Sequence, residues 1–260
     1  MSKGNTKSGY SQVNGLNMYY EIYGEGKPLV LIHGGGSTIQ TTYGNVSPLL
    51  SEKRQIIAMD LEAHGRTGER SKPLSFEQDA DDIIALLSNL EIEKADFLGF
   101  SNGGQTLIEI GLRHASRVDK MIIASSFYKR SAAVPQFWDG FQSATIDVMP
   151  KALKDEFFRV NNDEAAFVNM FNRDVERMKA FKDWSEEQIK SITIPTLIIN
   201  GNNDVGSVEH AVEMYRTMPN AQLLIIPGNH GSYLGTMESL HGKDWNERYI
   251  VDIINDFLGR

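Results

Sequence analysis

The chain has no cysteine among its 260 residues. Disulfides, thiol nucleophiles and thiolate metal sites are therefore excluded, and the composition suits a reducing compartment such as the cytoplasm. Positive charge is also scarce. Against 34 Asp and Glu there are 26 Lys and Arg, a formal net charge of -8, and no basic run offsets that balance locally. Nucleic acid, which requires a basic footprint, is not an expected partner. Long apolar runs are missing too. The longest are strand-length, well short of the roughly 20 residues that span a membrane. Residues 1–9 are polar, so no secretory signal is expected there. No spacing of histidines and carboxylates suggests a metal site, and no glycine pattern matches a dinucleotide or phosphate loop. Internal repeats and low-complexity tracts are absent.

What remains is an ordinary globular composition, 41% hydrophobic and 23% charged. It is long enough for one α/β domain with an inserted subdomain. Residues 10–13 and 16–23 flank Asn14-Gly15, a strong two-residue turn signal, and predict a β-hairpin. Short apolar runs at 28–32, 55–59, 121–124, 196–199 and 222–226, and the strand-like stretch 94–98, predict strands. Wholly apolar runs of this length suit central parallel strands covered on both faces. Phe76, Ala80, Ile83, Ile84 and Leu87 recur at helical spacing, with Ser75 and Gln78 as an expected capping box. Further helices are expected at 105–114, from Ser207 to about 218, and over 243–258. Strands alternating with helices predict a mostly parallel central sheet with helices on both faces.

One segment breaks the alternation. Residues 129–192 show helical pieces at 151–160, 163–181 and 186–192 and no strand. The stretch 127–184 holds 11 of the chain's 24 aromatic residues. It is too apolar for a linker, so it reads as a helical cap inserted in a core made of 1–128 and 193–260. Most of its aromatics are expected to pack the cap itself. Phe127, Phe137, Trp138 and Phe141 are the candidates to line an apolar substrate pocket.

The most specific run is Gly99-Phe100-Ser101-Asn102-Gly103, between a predicted strand and a predicted helix. Glycine, any, serine, any, glycine at such a junction describes a nucleophile elbow. A serine hydroxyl needs a base, and the base needs an orienting acid. His230 lies just past the run 222–226, and Asp204 just past 196–199. Both sit at C-terminal strand ends, the edge where parallel α/β sheets place their sites. The order serine, aspartate, histidine is that of the α/β hydrolases. His114 and His210 fall in predicted helices and His241 near the start of the last one, where surface or capping roles are expected.

On these motifs the chain resembles the α/β-hydrolase fold superfamily over nearly its whole length. It is most similar to the small cap-bearing branch of esterases, lactonases, C–C bond hydrolases and cofactor-free haloperoxidases. The resemblance implies Ser101 as nucleophile, Asp204 as triad acid and His230 as general base. The family's acid can instead follow the strand before the cap, but Ser125-Ser126-Phe127 offers no carboxylate there. It further implies an oxyanion hole from the N–H of Gly35 or Gly36, in His33-Gly34-Gly35-Gly36, and that of Asn102. His33 is then a loop brace. The loop Asp60-Leu-Glu-Ala-His64-Gly65-Arg66 is a structural turn with Ala63 where the family usually has glycine. No cofactor and no metal are implied. The expected reaction is hydrolysis of a small carboxylic ester or lactone through an acyl-enzyme. Perhydrolysis, hydroxynitrile cleavage, and C–C hydrolysis with a cation such as Arg130 or Arg173 on an anionic substrate share the triad. A small-molecule receptor on the same fold is the reading from another class.

Overall fold

The computed structural model describes residues 7–239 and 247–259. Eight strands form one sheet: β1 (Lys7–Val13), β2 (Leu16–Tyr23), β3 (Pro28–Ile32), β4 (Gln55–Met59), β5 (Ala95–Phe100), β6 (Val118–Ala124), β7 (Thr196–Asn203) and β8 (Ala221–Asn229). Their order is β1-β2-β4-β3-β5-β6-β7-β8. β1 pairs antiparallel with β2, and β2 with β4. Every later pairing is parallel. The hairpin turns through Asn14 and Gly15, both at positive φ, as the two-residue turn requires.

Side chains alternate along each central strand and so feed two cores. Val30 and Ile32 of β3 join Ile57, Phe97 and Ile123 on one face. That face is covered by α3 (Phe76–Asn89), α4 (Asn102–Arg113) and α9 (Val208–Thr217), through residues such as Ile83, Ile108 and Met214. Leu29 and Leu31 join Ile56, Leu98 and Ile122 on the other. There α1 (Ile39–Tyr43), α2 (Ser47–Leu50) and α10 (Glu247–Gly259) contribute Tyr43, Leu50 and Ile254. Burial on both faces explains why these strands read as continuous apolar runs.

Between β6 and β7 the chain forms α5 (Pro135–Gln142), α6 (Lys151–Val160), α7 (Glu164–Lys179) and α8 (Glu186–Ser191), without a strand. Phe157, Phe167 and Met170 form a small core within this insertion.

Several local expectations need correction. The Ser75 hydroxyl caps α3 by accepting from the Gln78 N–H, but the Gln78 side chain donates to Asp82 instead of closing a capping box. α4 begins at Asn102, directly after Ser101, because the elbow leads straight into the helix. His241 and the expected helix start at 243 lie outside the described residues.

Candidate active site

Ser101 occupies the cap position between β5 and α4 with φ 52° and ψ -121°. A non-glycine residue held there is strained, which persists only where the surroundings over-determine it. Those surroundings are backbone. A Cβ on Gly103 would stand 2.1 Å from the Ile32 carbonyl oxygen, and one on Gly99 would stand 2.3 Å from that of Gly103. The Ser101 N–H donates to the Ala124 carbonyl at 2.9 Å, which pins the turn to β6.

His230 follows β8, its ring 4.8 Å from that of Phe100. Its Nδ1 stands 2.6 Å from Asp204 Oδ1. A carboxylate only accepts, so Nδ1 carries the proton and Nε2 is left as the basic nitrogen. Asp204 also accepts from the Ser125 hydroxyl at 2.6 Å, the Gly201 N–H at 3.0 Å and the Val205 N–H at 2.8 Å. Since the Ser125 hydroxyl donates to Asp204, it receives from Tyr233 at 2.7 Å. Burial would raise the Asp204 pKa, but these bonds, led by His230, outweigh it and hold the carboxyl below its ordinary value.

Ser101 and His230 line one cavity of about 270 Å³. Its walls are largely apolar and include Phe127, Phe137 and Phe141, together with Met149, Leu153, Phe171, Val175 and Met178 from the insertion. Trp138, expected among them, does not line it. Phe137 and Phe141 are four residues apart and share a helix face, which turns Trp138 aside. The Trp138 indole donates to the Arg130 carbonyl at 2.8 Å, and the Arg130 guanidinium stacks on its ring at 4.0 Å. Arg173 is likewise absent from the lining and is held by Glu62 and Glu69.

Of the expected oxyanion donors, Gly35, Gly36 and Asn102 all line the cavity. The Gly36 N–H is already engaged, donating to Asp174 Oδ2 at 2.6 Å, so it is removed from the candidate donors. Gly35 and Asn102 keep theirs: among the described residues neither N–H has a protein acceptor. A Cβ on Gly35 would meet the Asn102 side-chain nitrogen at 2.6 Å, so a larger residue there would displace that side chain.

The neighbouring histidines divide by environment. His33 is buried; its Nδ1 donates to the Gly34 carbonyl at 2.7 Å and its Nε2 accepts from the Leu61 N–H at 3.0 Å. Burial, with His64 nearby, pushes its pKa down to about 3, so it braces the loop as a neutral ring. His210 is buried rather than on the surface, accepts from the Tyr128 N–H, and is lowered by burial to about 4. His114 stays at the end of α4, 2.7 Å from Asp81.

The loop after β4 is a structural turn, with Ala63 at φ 66° and the Asp60 carboxylate receiving Ile39 N–H and Arg66. It also holds a pairing that the sequence reading missed. His64 Nε2 lies 2.9 Å from Asp174 Oδ2, on α7. Asp174 lines the cavity and pairs through Oδ1 with Arg177, which reaches Asp79 at 2.8 Å. Burial opposes ionisation of Asp174, but His64 and Arg177 hold its carboxyl far below the ordinary range. The available signal was an acid inside the apolar stripe of α7, between Phe171 and Met178. Among the described residues no cluster of His, Asp and Glu could hold a metal ion. No helix among them is long and apolar enough to cross a membrane.

Comparison with known proteins bears on this arrangement. The chain is 29% identical over 240 residues to the uncharacterized hydrolase YugF of Bacillus subtilis (strain 168), covering 81% of this chain and 86% of that one. It is 26% identical over 232 residues to the dihydrolipoyllysine-residue acetyltransferase component of the acetoin cleaving system of Pseudomonas putida. That match covers 82% of this chain but spans only 60% of the longer relative. The enol-lactonase from Burkholderia xenovorans LB400 superposes with a TM-score of 0.75 at 21% identity, covering 97% of this chain and 100% of that one. The family model for the alpha/beta hydrolase fold matches residues 27–181, more than half of the chain. The protein belongs to the alpha/beta hydrolase fold family.

Proposed function

We propose that the protein is a serine hydrolase that cleaves small carboxylic esters or lactones, with residues 129–192 acting as a cap over the core. The observation that carries this reading is the strained Ser101 sharing a cavity with His230, whose other ring nitrogen is held by a buried carboxylate. His230 Nε2 takes the Ser101 proton as Oγ attacks the carbonyl carbon. Asp204 stabilises the resulting imidazolium. The carbonyl oxygen, now negative, is held by the Gly35 and Asn102 N–H groups. When the intermediate collapses the C–O bond breaks and the alcohol leaves with the proton from His230. Water, activated by the same histidine, then splits the acyl-enzyme to the acid and free Ser101.

The cavity supports a neutral, apolar substrate. Its walls carry aromatic and aliphatic side chains, and its ionised lining group is the Asp174 carboxylate. Among the described residues no Lys or Arg lines it, which disfavours the anionic dienoic acids that a C–C hydrolase takes. A lactone is the substrate named for the structural relative from Burkholderia, and it fits these walls.

The test is Ser101→Ala assayed against a panel of p-nitrophenyl esters and γ- and δ-lactones. Turnover is expected to fall by roughly 10³-fold or more with an unchanged circular dichroism spectrum. A variant that still turns over these substrates at the wild-type rate overturns the reading.

A further inference from the structure

The oxyanion loop has an unusual mechanical problem. Gly34, Gly35 and Gly36 follow one another, and glycine backbone is the most permissive there is. Three consecutive glycines do not hold an N–H in place by themselves. The structure supplies ties on both sides of Gly35. His33 Nδ1 grips the Gly34 carbonyl at 2.7 Å, and the Ser37 hydroxyl reaches the Gly35 carbonyl at 3.3 Å. The short tie is from the cap: Asp174 Oδ2 receives the Gly36 N–H at 2.6 Å.

The same carboxylate oxygen faces His64. His64 Nε2 is 2.9 Å from Asp174 Oδ2, and its Nδ1 is 2.8 Å from the Glu62 carbonyl oxygen. A neutral imidazole has one donor nitrogen and one acceptor nitrogen. Nδ1 therefore donates to Glu62, and Nε2 has two roles open: as the cation it donates to Asp174 Oδ2 at 2.9 Å, and as the neutral ring it accepts from the Gly36 N–H at 3.2 Å. The shorter bond of the Gly36 N–H is to the carboxylate, at 2.6 Å.

We propose that Asp174 and the His64 cation are a positioning pair, through which cap helix α7 holds the oxyanion loop so that Gly35 presents its N–H to the substrate. This rests on the Ser101 acyl-transfer reading given above. Removing the His64 proton sets an imidazole lone pair against the Asp174 oxygen and loosens the tie. Other groups face His64 as well. The His33 ring is 5.1 Å away and neutral, Arg177 lies beyond Asp174, and Asp79 lies beyond Arg177. Burial and Arg177 both oppose the cation, but Asp174 outweighs them and raises the His64 pKa above its ordinary value. The tie is therefore complete below that raised value and lost as pH rises through it.

The experiment measures kcat and KM against pH for wild type, Asp174→Asn and Ser101→Ala on one small neutral ester. Wild-type kcat is expected to fall on the alkaline side. Asp174→Asn is expected to lose about 10- to 100-fold in kcat, as a misplaced catalytic group does, with KM within about threefold and no alkaline fall. The neutral His64 is tolerated beside an amide, which explains the flat limb. Imidazole ¹⁵N shifts of wild type, followed by NMR, give a readout free of any folding defect: His64 should titrate together with the alkaline fall of kcat. A ring that stays neutral from pH 6 to 9, or an Asp174→Asn variant that loses melting temperature but keeps the wild-type profile, overturns the proposal. If Ser101→Ala remains active, the acyl-transfer reading itself fails. If it is inactive while Asp174→Asn matches wild type, only the positioning pair fails.

Discussion

Asp204 carries four hydrogen bonds on its two oxygens, and their donors come from three different stretches of chain. One of them is Ser125, at φ 49°, in the place where the family can put its acid. Here that position supplies a donor to the acid instead. Ser125→Ala removes a bond to the ionised Asp204 carboxylate and the Ser125–Tyr233 hydrogen bond. We expect a stability loss of about 1–3 kcal/mol in urea denaturation. If about 1.4 kcal/mol of the carboxylate's support is lost in the transition state, kcat falls about tenfold. The sign on pH follows from the depressed Asp204 pKa. Its contribution to stability is present above the unfolded carboxyl pKa and disappears as pH falls through the folded one. Losing Ser125 raises the folded value, so the acid-side loss of kcat should begin at higher pH in the variant. Ser101, Asp204 and His230 were legible in the sequence because each lies beside a local signal: a glycine pair or a strand end. Asp174 was not, because it lies in the helical insertion outside any motif, and His64, read as part of a structural turn, carried no sign of a partner 110 residues away.

The elements show which glycines are mechanical parts. α4 crosses so close to β3 that Gly103 has no room for a methyl group. Gly103→Ala must push helix and strand apart and is expected to cost about 3 kcal/mol, with loss of the proposed hydrolytic activity as Ser101 moves. Gly140, inside α5, meets nothing within 4 Å. Gly140→Ala should instead stabilise by about 1 kcal/mol, so paired urea melts of the two variants separate crowding from helix propensity. The strand cores were readable for a related reason: central strands buried on both faces are mainly apolar, and a buried exception, Asp96 in β5, is paired with Arg54 and Lys27. Their ends were not. β7 and β8 run on as Asn200-Gly201-Asn202-Asn203 and Pro227-Gly228-Asn229, polar and glycine-rich stretches that the sequence presents as loops. They stay paired because Asn203 aligns with Asn229 beyond an irregularity in register. That extension is what sets Asp204 beside His230. Trp138 was misplaced for a different reason, since composition does not say which face of α5 looks down.

Across the whole molecule, the insertion between β6 and β7 meets the rest of the chain through buried charge. Arg177 sits between Asp174 and Asp79, and all three are buried. Arg177→Met leaves two carboxylates without their shared cation and is expected to cost about 3–5 kcal/mol at neutral pH. Burial already pushes the Asp79 pKa up to about 6. A carboxyl raised in the fold loses stability as pH rises from its unfolded value through its folded one. The penalty in Arg177→Met should therefore shrink between pH 7.5 and pH 5, as read by urea midpoints. The insertion itself leaves the sheet after β6 and returns at β7, and these strands are hydrogen-bonded neighbours, with Ala124 opposite Ile199. The exit and re-entry points are thus fixed by the sheet and not by what lies between them. Closing a loop there costs only about 0.6 kcal/mol more for each doubling of its length. From the sheet's side the insertion is interchangeable: segments of quite different size could be spliced between these two strands. With Asp174 in its proposed role, the demand on any replacement is chemical rather than architectural: a transplanted segment must bring its own carboxylate to the Gly36 amide.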